Sequence, residues 1–374
     1  MSKSRLVLAD SYEGLLEQAR DLWEEGDLSG AEAFYRRLVE KLGRLSDRIL
    51  ARRPELHDMH REARLELSTL LSEQGRYAEA IEVEEVLLRT HPDEADILRT
   101  DLAILRLSKG ETEAGLAELR ALTEEKPEDA AQWLVLARET RIEGRFVESQ
   151  AALDRALEAG REAEALLLAL IHFEQFLLFK EMGRVDDALA AWERAAELEP
   201  QAKDTVRRVY EMLSQVGRYT EALHYVDRDD NKLQAGFQRG LIAWLRGDAA
   251  RARQEWKKVA EMDPDEFEFG HDAWVESVLR LGDPVPALKW LPTALREYGT
   301  VRLLTLAGIA WAMHRNRDRA AKLFQYAIDT LRHSRPPKQK LDSSEWRLLD
   351  SLVADEEIKA ALRPYFAVVE TLWS

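Results

Sequence analysis

The sequence predicts an all-α chain, an α-solenoid of about nine helix pairs closed by a C-terminal helical cap. Three periodic features predict it. Glycines recur between amphipathic runs at Gly26, Gly75, Gly110, Gly144, Gly183, Gly217, Gly247 and Gly282, separated by 49, 35, 34, 39, 34, 30 and 35 residues. Five residues after each stands a small residue: Ala31, Ala80, Gly115, Ser149, Ala188, Ala222, Ala252 and Ala287. Seventeen residues after four of them comes Pro92, Pro127, Pro200 or Pro264.

Each position has a mechanical role. Glycine accepts the positive φ that ends one helix and turns the chain into the next. The small residue lets the second helix approach the first. Proline ends the second helix because it has no N–H to continue the hydrogen-bond ladder. The unit is therefore helix, turn, helix, stop.

The runs Gly75-Arg76-Tyr77-Ala78-Glu79-Ala80, with Pro92 following, and Gly217-Arg218-Tyr219-Thr220-Glu221-Ala222 resemble the central signature of the tetratricopeptide repeat family. Trp133, Tyr35, Trp192, Trp256 and Phe324 also fall where that family places large residues. A ninth unit has Arg315 in the glycine slot, while Trp311, Ala320 and Phe324 keep the phase. The resemblance spans about residues 12 to 333 and implies a right-handed superhelix with a concave groove lined by first helices.

The remaining elements follow from departures in the period. The 49-residue first step predicts an overlong second helix over about Ser29 to Arg53, projecting from the array. The 39-residue step predicts a lengthened helix or loop near Glu162 to Lys180. After Leu331 the pattern fails at a basic connector with Pro336 and Pro337, dividing a repeat array over 1–335 from a capping segment over 336–374. There, Asp342 and Glu345 have capping-box spacing ahead of Trp346, Leu349, Leu352 and Val353, and a last helix broken or begun at Pro364 runs to Trp373.

Composition narrows the function. Seventy acidic against 54 basic residues give a net charge of −16, a poor match to nucleic-acid phosphates. The absence of cysteine removes disulfides, thiolate metal sites and cysteine nucleophiles. Leu6 to Ala9 is too short for a signal-peptide core, and Ala165 to Phe179 is interrupted by His172, Glu174 and Gln175, so no membrane span and a cytoplasmic location are expected.

Catalytic and cofactor signatures are equally scarce. The sequence has no G-x-S-x-G, H-E-x-x-H, phosphate-binding or dinucleotide fingerprint. Two Glu-x-x-His pairs, Glu221 with His224 and Glu268 with His271, lie in different repeats, where a di-metal site needs one bundle. His57 and His60 supply two ligands, too few for a site. Trp192, Trp256, Trp274 and Trp311 read as core, and Glu82, Glu84 and Glu85 as a solvated face. No enzyme activity, metal or cofactor is expected.

With the family's geometry, the first-helix phase collects Trp23, Ile104, Arg138, Arg141, Phe173, Leu177, Arg207, Arg208, Phe237, Leu241 and Trp244 on the groove. Arginines there suit bidentate contact with a partner's carboxylates, and the aromatic residues suit anchoring. The asparagine-rich clamp of some family members has no counterpart, since Asn231 and Asn316 are the only asparagines and neither is in groove phase. The expected function is an adaptor or scaffold holding a protein or peptide partner. The alternative is a regulatory or inhibitory subunit acting through the projecting N-terminal helix pair.

Overall fold

The computed structural model describes residues 11–50, 52–161, 163–199, 205–332 and 338–367. Its helices are α1 (Tyr12–Glu24), α2 (Leu28–Gly43), α3 (Asp47–Leu50), α4 (Pro54–Glu73), α5 (Tyr77–Thr90), α6 (Ala95–Lys109), α7 (Thr112–Glu125), α8 (Ala130–Ile142) and α9 (Phe146–Ala159). They continue with α10 (Ala165–Glu181), α11 (Val185–Leu198), α12 (Val206–Gln215), α13 (Tyr219–Val226), α14 (Lys232–Leu245), α15 (Ala249–Ala260), α16 (His271–Arg280) and α17 (Val285–Tyr298). Last come α18 (Val301–Met313), α19 (Arg317–Leu331), α20 (Ser343–Leu352) and α21 (Glu356–Leu362). The fold is all-α, with nine helix pairs among the described residues, α1–α2 to α18–α19 with α3 standing outside the pairing. The helices group into two compact units, Met1–Arg161 and Glu162–Ser374.

All eight repeat glycines have positive φ, between 71° and 93°. The ninth turn makes the same bend with Arg315, whose φ of 58° lies in the left-handed region that a Cβ disfavours. The small residues of the second helices are buried, and at Gly115 the approach is close. A Cβ there would meet Leu107 Cγ at 2.5 Å and the Ala103 carbonyl oxygen at 2.7 Å. Pro92 and Pro127 follow the ends of α5 and α7 by two residues, and Pro264 opens a 3-10 turn after α15; Pro200 lies outside the described residues.

Three expectations are corrected. The overlong helix over 29–53 does not form: α2 stops at Gly43, and the added length goes into the single turn α3 and the 20-residue α4. Gly43, a weak helix former, is the last residue of α2, and Pro54, which fits the first turn of a new helix, sets where α4 begins. The solvated run at Glu82, Glu84 and Glu85 is split, since Glu82 is exposed while Glu84 is only 4% exposed. Finally, Asp342 precedes α20 but gives it no side-chain cap; it pairs with Lys338, and Glu345 turns to Arg302 at 3.3 Å instead.

The extra residues of the 39-residue step lengthen α10 to 17 residues. Residues 338–367 share a buried cluster with α16, α18 and α19, through Leu341, Leu349, Leu362 and Phe366. Phe366 packs edge-on to Phe324 at 5.1 Å. The backbone amide of Leu341 donates to the Tyr365 carbonyl at 3.0 Å, and that of Ala367 to the Leu341 carbonyl at 2.8 Å. The helix before Pro364 ends at Leu362, and Trp373 lies outside the described residues.

Candidate partner-binding groove

In the second unit, the first helices α12, α14 and α16 line a cleft of about 830 Å³, with Arg302 of α18 and residues of α20 completing it. The turn glycines set the phase of these helices, so residues at the same distance before each glycine recur on the same wall. Phe237 and Leu241, ten and six residues before Gly247, give the cleft apolar surface. Arg207, ten residues before Gly217, stands beside them.

A ladder of ion pairs fixes the charged wall. Arg207 donates through Nε to Glu211 at 2.7 Å and through Nη2 to Asp272 at 3.1 Å. Gln234 Nε2 donates to the other oxygen of Asp272 at 2.9 Å. Burial works against charge on Arg207, but Asp272 and Glu211 outweigh it and raise the guanidinium above its ordinary range. Glu276, 5% exposed, accepts from Arg280 Nε at 2.8 Å and from Arg302 on its other oxygen. Burial disfavours charge on Arg302 also, and Glu276 with Glu345 reverses the effect. Arg347 lines the same cleft, exposed, and makes no ion pair among the described residues.

The structure thus brings Arg207, Phe237 and Leu241 together in one cleft. Phe173 and Leu177 lie half-buried on α10, where Arg208 covers the Phe173 ring at 5.9 Å. Trp244, also on α14, is 49% exposed and is not among the residues lining the cleft; it is tilted against Trp256 with ring centres 6.2 Å apart. Trp23, Arg138 and Arg141 belong to the first unit and do not join them. There Trp23 Nε1 donates to Glu73 at 3.0 Å, and Arg138 Nε to the buried Glu139 at 3.0 Å.

Sequence reasoning missed Asp272, Glu276 and Arg280. The signal was present, because they stand ten, six and two residues before Gly282, in the phase that identified Phe237 and Leu241. Arg347 had no such signal, as it follows the end of the repeat. Asn231 and Asn316 are N-caps, accepting from the amides of Gln234 and Arg319. Of the histidines, His271 is held by the Phe267 carbonyl oxygen at 2.9 Å and stacks on Tyr298 at 4.2 Å, and burial pushes His60 down to about 4. Glu221 is engaged by Arg218 at 2.8 Å, and His224 packs edge-on to Tyr225. No helix of the described residues is long and apolar enough to cross a membrane.

Two family models described as tetratricopeptide repeat match the chain, over residues 16–95 and 71–139. Similar solved structures include a tetratricopeptide repeat protein from Parabacteroides merdae ATCC 43184, 18% identical over 72% of this chain and 98% of its own, with a TM-score of 0.45. YrrB, described as a TPR protein with an unusual peptide-binding site, is 20% identical over 57% of this chain and 91% of its own, with a TM-score of 0.32. Human IFIT1, solved as a dimer with m7Gppp-AAAA, is 15% identical over 86% of this chain and 72% of its own, with a TM-score of 0.42. The comparison with curated proteins finds no match.

Proposed function

Because the chain belongs to the tetratricopeptide repeat family, whose repeats mediate protein–protein interaction, we propose that it is a non-enzymatic adaptor that holds a partner segment in the cleft of its second unit. The segment it suits carries an acidic side chain next to an apolar one. The observation that carries this reading is the pairing of apolar Phe237 and Leu241 with arginines already oriented by internal ion pairs, beside the unengaged Arg347. Pre-oriented arginines lose little rotamer freedom on contact, and a carboxylate reaching Arg347 gains a charge-assisted hydrogen bond.

An adaptor reading is favoured over a catalytic one by the state of the acids. Glu211, Asp272 and Glu276 each accept from an arginine, so each serves to orient the guanidiniums of the cleft. The alternative of a regulatory or inhibitory subunit acting through the projecting N-terminal helix pair has no overlong helix over 29–53 to act through, since α2 ends at Gly43.

The experiment is affinity isolation from source cells with wild type, with Phe237→Ala combined with Arg347→Glu, and with Tyr326→Ala as an exposed control on α19. The expected result is a partner retained by wild type and the control and lost from the double variant. Retention of every partner by the double variant contradicts the reading.

A further inference from the structure

The core slot nine residues after the turn residue is filled by Tyr35, Trp192, Trp256 and Phe324 in four pairs, and by Leu119 and Leu153 in two more, all buried. In the pair α4–α5 the same slot holds Glu84, 4% exposed, and its Oε2 has no hydrogen-bond partner among the described residues. An orphaned buried polar atom is destabilising, and a leucine there would avoid the cost. Glu84 lines a pocket of about 200 Å³ together with Ser68, Ser72, Asp101, Ile104 and Leu105. The pocket belongs to the first unit, and its interest is independent of the cleft in the second.

We propose that this pocket is a subsite for a primary ammonium on an aliphatic stem, namely a lysine side chain of a protein partner. Three features of the pocket select that chemistry. Its polar wall is rich in acceptors: two carboxyl groups and the hydroxyls of Ser68, Thr69 and Ser72, of which Thr69 already donates to the Leu65 carbonyl at 3.0 Å. An ammonium is all donor and complements such a wall. Leu65, Ile104 and Leu105 offer apolar surface for the methylene stem. Glu84 has one orphaned oxygen, which meets a point charge better than the two-pronged fork of a guanidinium.

Burial disfavours charge on both acids. Burial raises Glu84 to about 7, with the Asp101 charge adding to the rise and Ser68 opposing it, and burial raises Asp101. A cation between them reverses both effects. Calcium prefers roughly six to eight oxygens, which two carboxyl groups and three hydroxyls on helical backbones do not supply. Among the described residues no group of three or more His, Cys, Asp or Glu is arranged for a metal.

The test uses the full chain with methyl-labelled isoleucine and leucine, titrated with n-butylammonium, n-butylguanidinium, n-butanol and calcium and followed by NMR. Saturable shifts of Ile104 and Leu105 methyls with n-butylammonium are expected, tighter than with n-butylguanidinium and absent with n-butanol. Glu84→Gln and Asp101→Asn are each expected to weaken binding at least tenfold. The proposal is overturned by no saturable shift, by equal response to n-butanol, by preference for calcium or n-butylguanidinium, or by full affinity in Glu84→Gln. Should a variant fail to fold, the selectivity of the wild type among the four probes decides by itself.

Discussion

The indole of Trp256 lies directly against the backbone of Gly240, and its Nε1 donates to the Phe237 carbonyl at 3.3 Å. A Cβ on Gly240 would overlap the ring, contacting Trp256 Cδ1 at 2.5 Å. Glycine in a helix interior costs about 1 kcal/mol relative to alanine, so helix propensity alone favours Gly240→Ala. The overlap opposes it with about 1–3 kcal/mol of overpacking. We expect a net loss of ~1 kcal/mol or more, read as a lower denaturation midpoint with near-UV dichroism of Trp256 altered. An alanine variant as stable as wild type rejects this packing.

Arg315 gives the opposite sign. Its left-handed φ of 58° costs about 1 kcal/mol, and glycine removes that cost while adding some unfolded-state entropy. Arg315→Gly is expected to stabilise by roughly 0.5 kcal/mol. A melting temperature that falls in the variant contradicts the strain assigned to this turn.

Glu276 holds Arg280 and Arg302 from both sides. Its removal leaves two guanidiniums without their shared acceptor, and Glu276→Ala is expected to cost about 3 kcal/mol. The cost should fall on the second unit, measured by hydrogen exchange in α16 and α18. Unchanged exchange there would show that the ladder is only a surface feature.

The raised Glu84 predicts a definite pH dependence. Its ordinary value is 4.5 and its folded value is about 7, so the folded state holds the extra proton between them. The stabilisation is complete below 4.5, declines as pH rises toward 7, and is gone above it, a change of about 3 kcal/mol from 1.36 kcal/mol per unit. Glu84→Gln should therefore gain stability relative to wild type as pH rises from 4.5 to 8. Parallel melting profiles of the two proteins would contradict the shift.

The repeat was legible because its markers are backbone requirements. Gly75 and Gly217 announce their own positive φ, and Ala80 and Ala222 their close approach, whatever else the chain does. Pro54 announced the start of α4, but period arithmetic assigned the residues before it to one long helix, where the chain ends α2 at Gly43 and adds the single turn α3. Glu84 was illegible for another reason. Neighbouring Glu82 and Glu85 make it look like part of a charged run, and only its place nine residues after Gly75 marks it as a core position. In the cleft, phase places Arg207, Phe237 and Leu241, and the same phase marks Asp272 and Glu276, but the pairing of Arg207 with Asp272 and of Arg302 with Glu276 joins different helices and no local pattern shows it.

The most direct test of the groove is site-specific photocrosslinking in source cells, with a benzophenone side chain replacing either Leu245, exposed in the cleft wall, or Tyr326, exposed on α19. A discrete partner adduct from position 245 and none from position 326 is the predicted result. An adduct from position 326 alone, or equal adducts from both, would contradict it.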